Sequence, residues 1–193
     1  MNWESATSRI TRRGFACAFL WLAFGIALAN AQTAAPTEVP ATFNPVDFNF
    51  VGQANLGAPF QVDSGRLAET KGTSAAIRSY AHLMVTSHIP VVDALNTILH
   101  RKNVTPSNTL LHGAYDAMIS TLKADHGAEF DRDYVNGQVE YQKGNALLFQ
   151  QGIQNGADPD LRQFARQTLP KIEDHLQRIL KLAGASNGGG ALN

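Results

Sequence analysis

Two histidines stand inside helical stripes that are otherwise apolar, and they are the residues best placed to do chemistry. One stripe runs Ile77, Ala81, Met84, His88, Val91, Leu95, Ile98. The other runs Leu161, Ala165, Thr168, Ile172, His175, Ile179, Leu182. Both advance by alternating threes and fours, the spacing of a helix face that packs on another helix. An imaginary line through the middle of two further stripes meets Gln61 and Gln142. A polar group on such a face leaves water on folding and must find a partner inside. Two kinds of chemistry follow. Imidazole nitrogens can ligate zinc or copper, with water completing the shell. Alternatively, His88, His175, Gln61 and Gln142 form a hydrogen-bonded polar layer that fixes register, with Gln138, Tyr141 and Asn145 nearby.

The donor types favour the second. Di-metal sites in helical bundles are built from inward carboxylates and Glu-x-x-His pairs. His88 follows Val85 at i−3 and His175 follows Ile172, so neither has that acid. Glu173 and Asp174 adjoin His175 but fall off the stripe. No nucleophile-elbow spacing or phosphate-binding glycine loop occurs, and no catalytic constellation or cofactor is expected. Prolines frame both histidines. Pro90 and Pro170 each remove a helix hydrogen bond and free a carbonyl one turn back, at Thr86 and Arg166. They imply kinks beside the layer.

The elements that must position these residues are legible from punctuation. Asp47 is a candidate N-cap for a first helix carrying Val51, Ala54, Ala58, Gln61, Gly65 and Ala68, with Gly72 ending it. Thr73 or Ser74 caps a second helix running to about Lys102. Thr105-Pro106 introduces a short amphipathic helix with Leu111, Ala114, Met118 and Leu122 on its apolar face. A third long helix spans about Gly127 to Gln154, with Phe130, Tyr134, Gln138, Tyr141, Gln142, Asn145 and Phe149 inward. Asp158-Pro159 opens the fourth, which ends at Gly184. The predicted fold class is all-α. Four helices of about 24 to 28 residues, each roughly 36–42 Å long, form a ferritin-like four-helix bundle with a short extra helix in the crossover between the second and third. No strand signal is found.

The chain has 193 residues, with Lys+Arg and Asp+Glu balanced at 16 each, and is 44% hydrophobic, enough for a bundle core. Its beginning reads as an address. Arg9, Arg12 and Arg13 precede an apolar run from Phe15 to Ala29, and Ala29-Asn30-Ala31 is an A-x-A cleavage site, so Gln32 is the expected mature N-terminus. That run is shorter than the roughly 20 residues that span a bilayer. Thr11-Arg12-Arg13-Gly14-Phe15 resembles a twin-arginine export signal, and the ordinary secretory route stays open beside it. Cleavage removes Cys17, the only cysteine, so the mature chain can form neither disulfide nor thiolate site. Residues 32–46 read as a flexible lead-in, 47–184 as the bundle and 185–193 as a disordered Gly-rich tail. No basic run follows the signal, which excludes nucleic acid and an anionic membrane surface as implied partners. The expected location is periplasmic or secreted, without a stable membrane anchor after cleavage.

Four segments together resemble a known family: Phe60-Gln61-Val62-x-x-Gly65-x-Leu67-Ala68; Tyr80-Ala81-x-x-Met84-Val85-x-Ser87-His88; Phe130-Asp131-x-x-Tyr134-Val135-x-x-Gln138-Val139; and Leu169-Pro170-x-x-x-x-His175-Leu176. They are similar to the bacterial exported proteins grouped as domain of unknown function 4142, over about Phe48 to Ala183. The resemblance implies a ferritin-like fold and an envelope location, with no established biochemical role. It also implies that Glu often stands at the position of Gln61, Asp-His at Ser87-His88, and His at Gln142. The function expected is therefore a non-catalytic binding or structural module of the cell envelope, with an unknown protein or small-molecule partner. The alternative is a ferritin-like metal-binding protein or oxidase with a reduced ligand set.

Overall fold

The computed structural model of the protein describes residues 43–106 and 112–187. The signal segment, most of the lead-in, Leu111 and the last six residues lie outside them. The described residues form five helices and no strand: α1 (Pro45–Lys71), α2 (Ala75–Arg101), α3 (His112–Ala124), α4 (Gly127–Asn155) and α5 (Pro159–Asn187).

Each long helix starts where a side chain can satisfy its free N–H groups. Asn44, not Asp47, caps α1. Its side chain accepts from the Asp47 N–H while the Asp47 carboxylate accepts from the Asn44 N–H, each at 2.9 Å. Pro45 occupies the first helical position, where its missing N–H costs nothing. Phe43, just before the cap, meets Phe48 edge-on at 5.5 Å, a hydrophobic staple that sets the entry angle. Ser74 caps α2, accepting from Ile77 N at 3.1 Å. Asp158 caps α5, accepting from Asp160 N and Leu161 N, both at 3.0 Å. Gly72 ends α1 as expected; a Cβ there would lie 2.7 Å from the Ala68 carbonyl oxygen. α5 runs past Gly184 to Asn187.

α1 packs on α2 and α4, and α5 packs on α4 and α2. The order of the ends is read from contacts. Asn44 at the start of α1 donates to the Asn155 carbonyl at the end of α4. Lys102 at the end of α2 pairs with Asp158 at the start of α5, at 2.8 Å. Every adjacent pair of long helices is thus antiparallel, and the α2-to-α4 connection must travel the length of the bundle. That single long crossover is the connectivity of ferritin-like bundles. Within it, α3 lies against α1 and α4. The Lys71 ammonium donates to the Leu122 and Lys123 carbonyls, at 2.8 and 2.6 Å, fastening the end of α3 to the end of α1.

The apolar core comes in two halves. One gathers Phe50, Ala54, Leu95, Phe149, Phe164 and Ile172. The other gathers Ala68, Ile77, Met84, Phe130, Tyr134 and Ile179. On each long helix a polar residue separates the halves: Gln61 on α1, His88 on α2, Gln142 on α4, His175 on α5.

Candidate functional site: a buried polar layer between two core halves

The four residues singled out by spacing are all buried. Gln61 and Gln142 are 0% exposed, His88 3% and His175 4%. The histidines meet across the α2–α5 contact with ring centroids 5.2 Å apart and planes tilted by 38°. The glutamines do not bond to them. His88 Nδ1 lies 3.0 Å from the Met84 carbonyl oxygen, so that nitrogen carries the proton and donates along its own helix. Gln142 Nε2 donates to the Tyr80 hydroxyl at 3.4 Å and lies equally far from Met84 Sδ. Gln138 Nε2 donates to Ser64 Oγ at 3.2 Å, and Ser64 Oγ donates to the Gln61 carbonyl at 3.4 Å. Both amide atoms of Gln61, the Oε1 atoms of Gln138 and Gln142, the Tyr134 hydroxyl and His175 Nδ1 have no protein partner.

Burial sets the electrostatics. Desolvation pushes the His88 imidazole down to about 4, against a partial upward pull from the Met84 carbonyl and a further lowering by Lys171. Desolvation likewise pushes His175 down to about 4, with the facing His88 lowering it next. Both rings are neutral at pH 7. Burial also raises the Tyr80, Tyr134 and Tyr141 hydroxyls well above their usual value, so they stay protonated. The layer is a set of neutral hydrogen-bonding groups.

Two further residues belong to the layer, and Tyr141, expected only near it, faces elsewhere. Tyr141 is not part of the layer. It packs on Phe60 at 5.5 Å and Tyr115 at 6.1 Å, and its hydroxyl approaches Gly57 so closely that a Cβ there would lie 2.3 Å from it. It faces the crossover helix because α3 gives α4 a second buried side. Ser64 and Tyr80 join the layer unannounced. Ser64 lies one turn beyond Gln61, and Tyr80 two turns before His88 on the same face, so helical spacing alone could have found both. Three other histidines stay apart: His82 is exposed and bonds Glu69 at 2.7 Å, and His100 and His126 are exposed.

A di-metal centre of the kind ferritin-like bundles hold needs carboxylates at this level. The layer supplies two imidazoles, amides and hydroxyls. Among the described residues no group of three or more His, Cys, Asp or Glu is placed to hold a metal ion. The donor set does not fit such a centre. No described helix is long and apolar enough to cross a membrane.

The fold is similar to that of a crystallised DUF305 fragment from Deinococcus radiodurans, at 15% identity and a TM-score of 0.66, covering 76% of this chain and 99% of that one. At that identity the likeness speaks for the fold alone. No curated protein matches the chain. The model of the family described as a domain of unknown function, DUF4142, matches residues 31–182, and the chain belongs to that family.

Proposed function

We propose that this protein is an exported, non-catalytic binding or structural module of the cell envelope. The observation that carries the reading is the neutral layer: two imidazoles held uncharged, surrounded by amides and phenols rather than carboxylates. Acid–base catalysis near pH 7 is most efficient with a group titrating near that pH, and hard or redox-active divalent metals want carboxylate oxygens. A layer of this kind instead specifies which helix faces meet and at what height. Export rests on the signal-like start, Arg12-Arg13 through Ala29-Asn30-Ala31. N-terminal sequencing of the protein taken from its native compartment tests it: the first residue expected is Gln32, and an N-terminus upstream of the apolar run contradicts it.

A second reading has one observation in its favour, the apposition of His88 and His175 at 5.2 Å. Two imidazoles on facing helices are a reduced ligand set for a metal-binding protein or oxidase. Elemental analysis of the protein purified from its native compartment separates the two. The module reading expects iron, manganese, copper and zinc well below one per chain. A stoichiometric amount of any of them overturns it.

A further inference from the structure

We propose that the seam between α2 and α5 is a binding groove for a single-chain organic carboxylate, its hydrocarbon lying against Leu83, Pro90 and Pro170 and its carboxylate at Lys171. The inference rests on the binding-module reading and names the ligand class.

Two prolines line the groove. Pro90 on α2 and Pro170 on α5 face one another across a cavity of about 490 Å³, which Leu83, Lys171 and His175 also line. That is within the size range of small-molecule sites. A proline presents hydrocarbon and no N–H, and the Thr86 and Ser87 hydroxyls that also line the groove are turned back onto the His82 and Leu83 carbonyls. The floor is closed by a member of the buried polar layer. His175 is 4% exposed, and its Nδ1 has no protein partner.

Charge selects the head group. Lys171 joins no ion pair among the described residues. The one acid on the rim, Asp174, is held by Arg178 at 2.7 Å and so does not neutralise it. The groove continues along the seam into a second cavity of about 670 Å³, sharing Leu83, Thr86 and Asp174 and bringing in Arg178 and Lys181. Lys181 also has no ion pair there, and His82 is taken by Glu69. The rim therefore carries more positive than negative charge, which repels metal cations and amines and attracts a carboxylate. An apolar wall beside an unpaired ammonium is complementary to an amphiphilic anion and to neither half of one alone.

The test is calorimetric titration of the protein, purified from its native compartment, with octanoate, butanoate, octan-1-ol and inorganic phosphate. Saturable one-to-one binding of octanoate is expected, at least tenfold tighter than butanoate or octan-1-ol. Lys171→Gln, an exposed change that leaves the core intact, is expected to weaken octanoate at least tenfold, whereas Lys143→Gln on α4 leaves it unchanged. No saturable binding, equal affinity for butanoate, equal competition by phosphate, or equal loss in the two lysine variants overturns the proposal. These outcomes are distinct from those of the preceding reading: stoichiometric metal refutes the module, and failure of octanoate to bind metal-poor protein refutes only this ligand class.

Discussion

His88 and His175 share a pKa direction but not a hydrogen-bonding state. His88 donates to the Met84 carbonyl, while His175 Nδ1 has no protein partner. The consequence for stability is a matter of sign. In the unfolded chain an imidazole takes up a proton near pH 6.5; in the fold, both do so only at about 4. Between those values the unfolded chain binds more protons. Stability is thus complete above about pH 6.5 and falls as pH drops, by about 1.4 kcal/mol per pH unit for each histidine. Urea unfolding at a series of pH values is expected to show that slope, and His175→Leu to remove about half of it while changing stability at pH 7.5 by no more than about 1 kcal/mol. An unchanged slope in the variant would show that His175 is not held neutral by burial. Gln61 is the sharper case. Both of its amide atoms are buried without a protein partner, so Gln61→Met is expected to stabilise the protein by about 1 kcal/mol. A loss of that size would show that the amide is bonded in solution.

At the scale of elements, one carboxylate ties the start of α1 to the α4–α5 turn. Asp47 is 1% exposed and accepts from Asn44 N at 2.9 Å, Ala157 N at 3.0 Å and Asp158 N at 3.3 Å. It closes the α1 cap and pins the α4–α5 turn. Asp47→Ala strands those donors, and a loss of about 2–3 kcal/mol is expected by urea unfolding; a loss below about 0.5 kcal/mol would mean that water replaces the carboxylate freely. Close approach of α1 and α2 depends on Gly65, where a Cβ would lie 2.9 Å from Val85 Cγ2 and 3.0 Å from the Ala81 carbonyl oxygen. Gly65→Ala is expected to cost about 1–3 kcal/mol.

The boundaries of these elements were largely legible because caps and prolines are local chemistry. Ser74, Gly72 and Asp158-Pro159 act where their residue types predict. Asp47 was misread as the cap because Asn44-Pro45-Val46-Asp47 offers two capping residues three apart, and only the Pro45 position decides between them. Periodicity named the four layer residues and their common height. It did not reveal which atoms pair, since that depends on side-chain reach, nor that α3 covers Tyr141, since a stripe pattern does not say where a crossover lies. The α2–α5 groove was foreshadowed only by Pro90 and Pro170. Its width depends on how two long helices pack, which periodicity does not specify.

Across the described residues, a neutral polar layer divides the core into two apolar halves, inside a bundle whose adjacent long helices are antiparallel. An apolar core of uniform character would allow the helices to slide by a turn; Gln61, His88, Gln142 and His175 penalise any slip that carries one of them into hydrocarbon. Burial of both imidazoles away from carboxylates predicts a layer that is uncharged and takes up no metal. This is tested most directly by following the histidine ring resonances by NMR from pH 3.5 to 8, before and after chelator treatment of protein from its native compartment. Of the six histidines, two are expected to titrate at about pH 4, with positions that the chelator leaves unchanged. If His88 and His175 titrate at the ordinary imidazole value of about 6.5, or shift when a metal is withdrawn, the layer is not what the account describes.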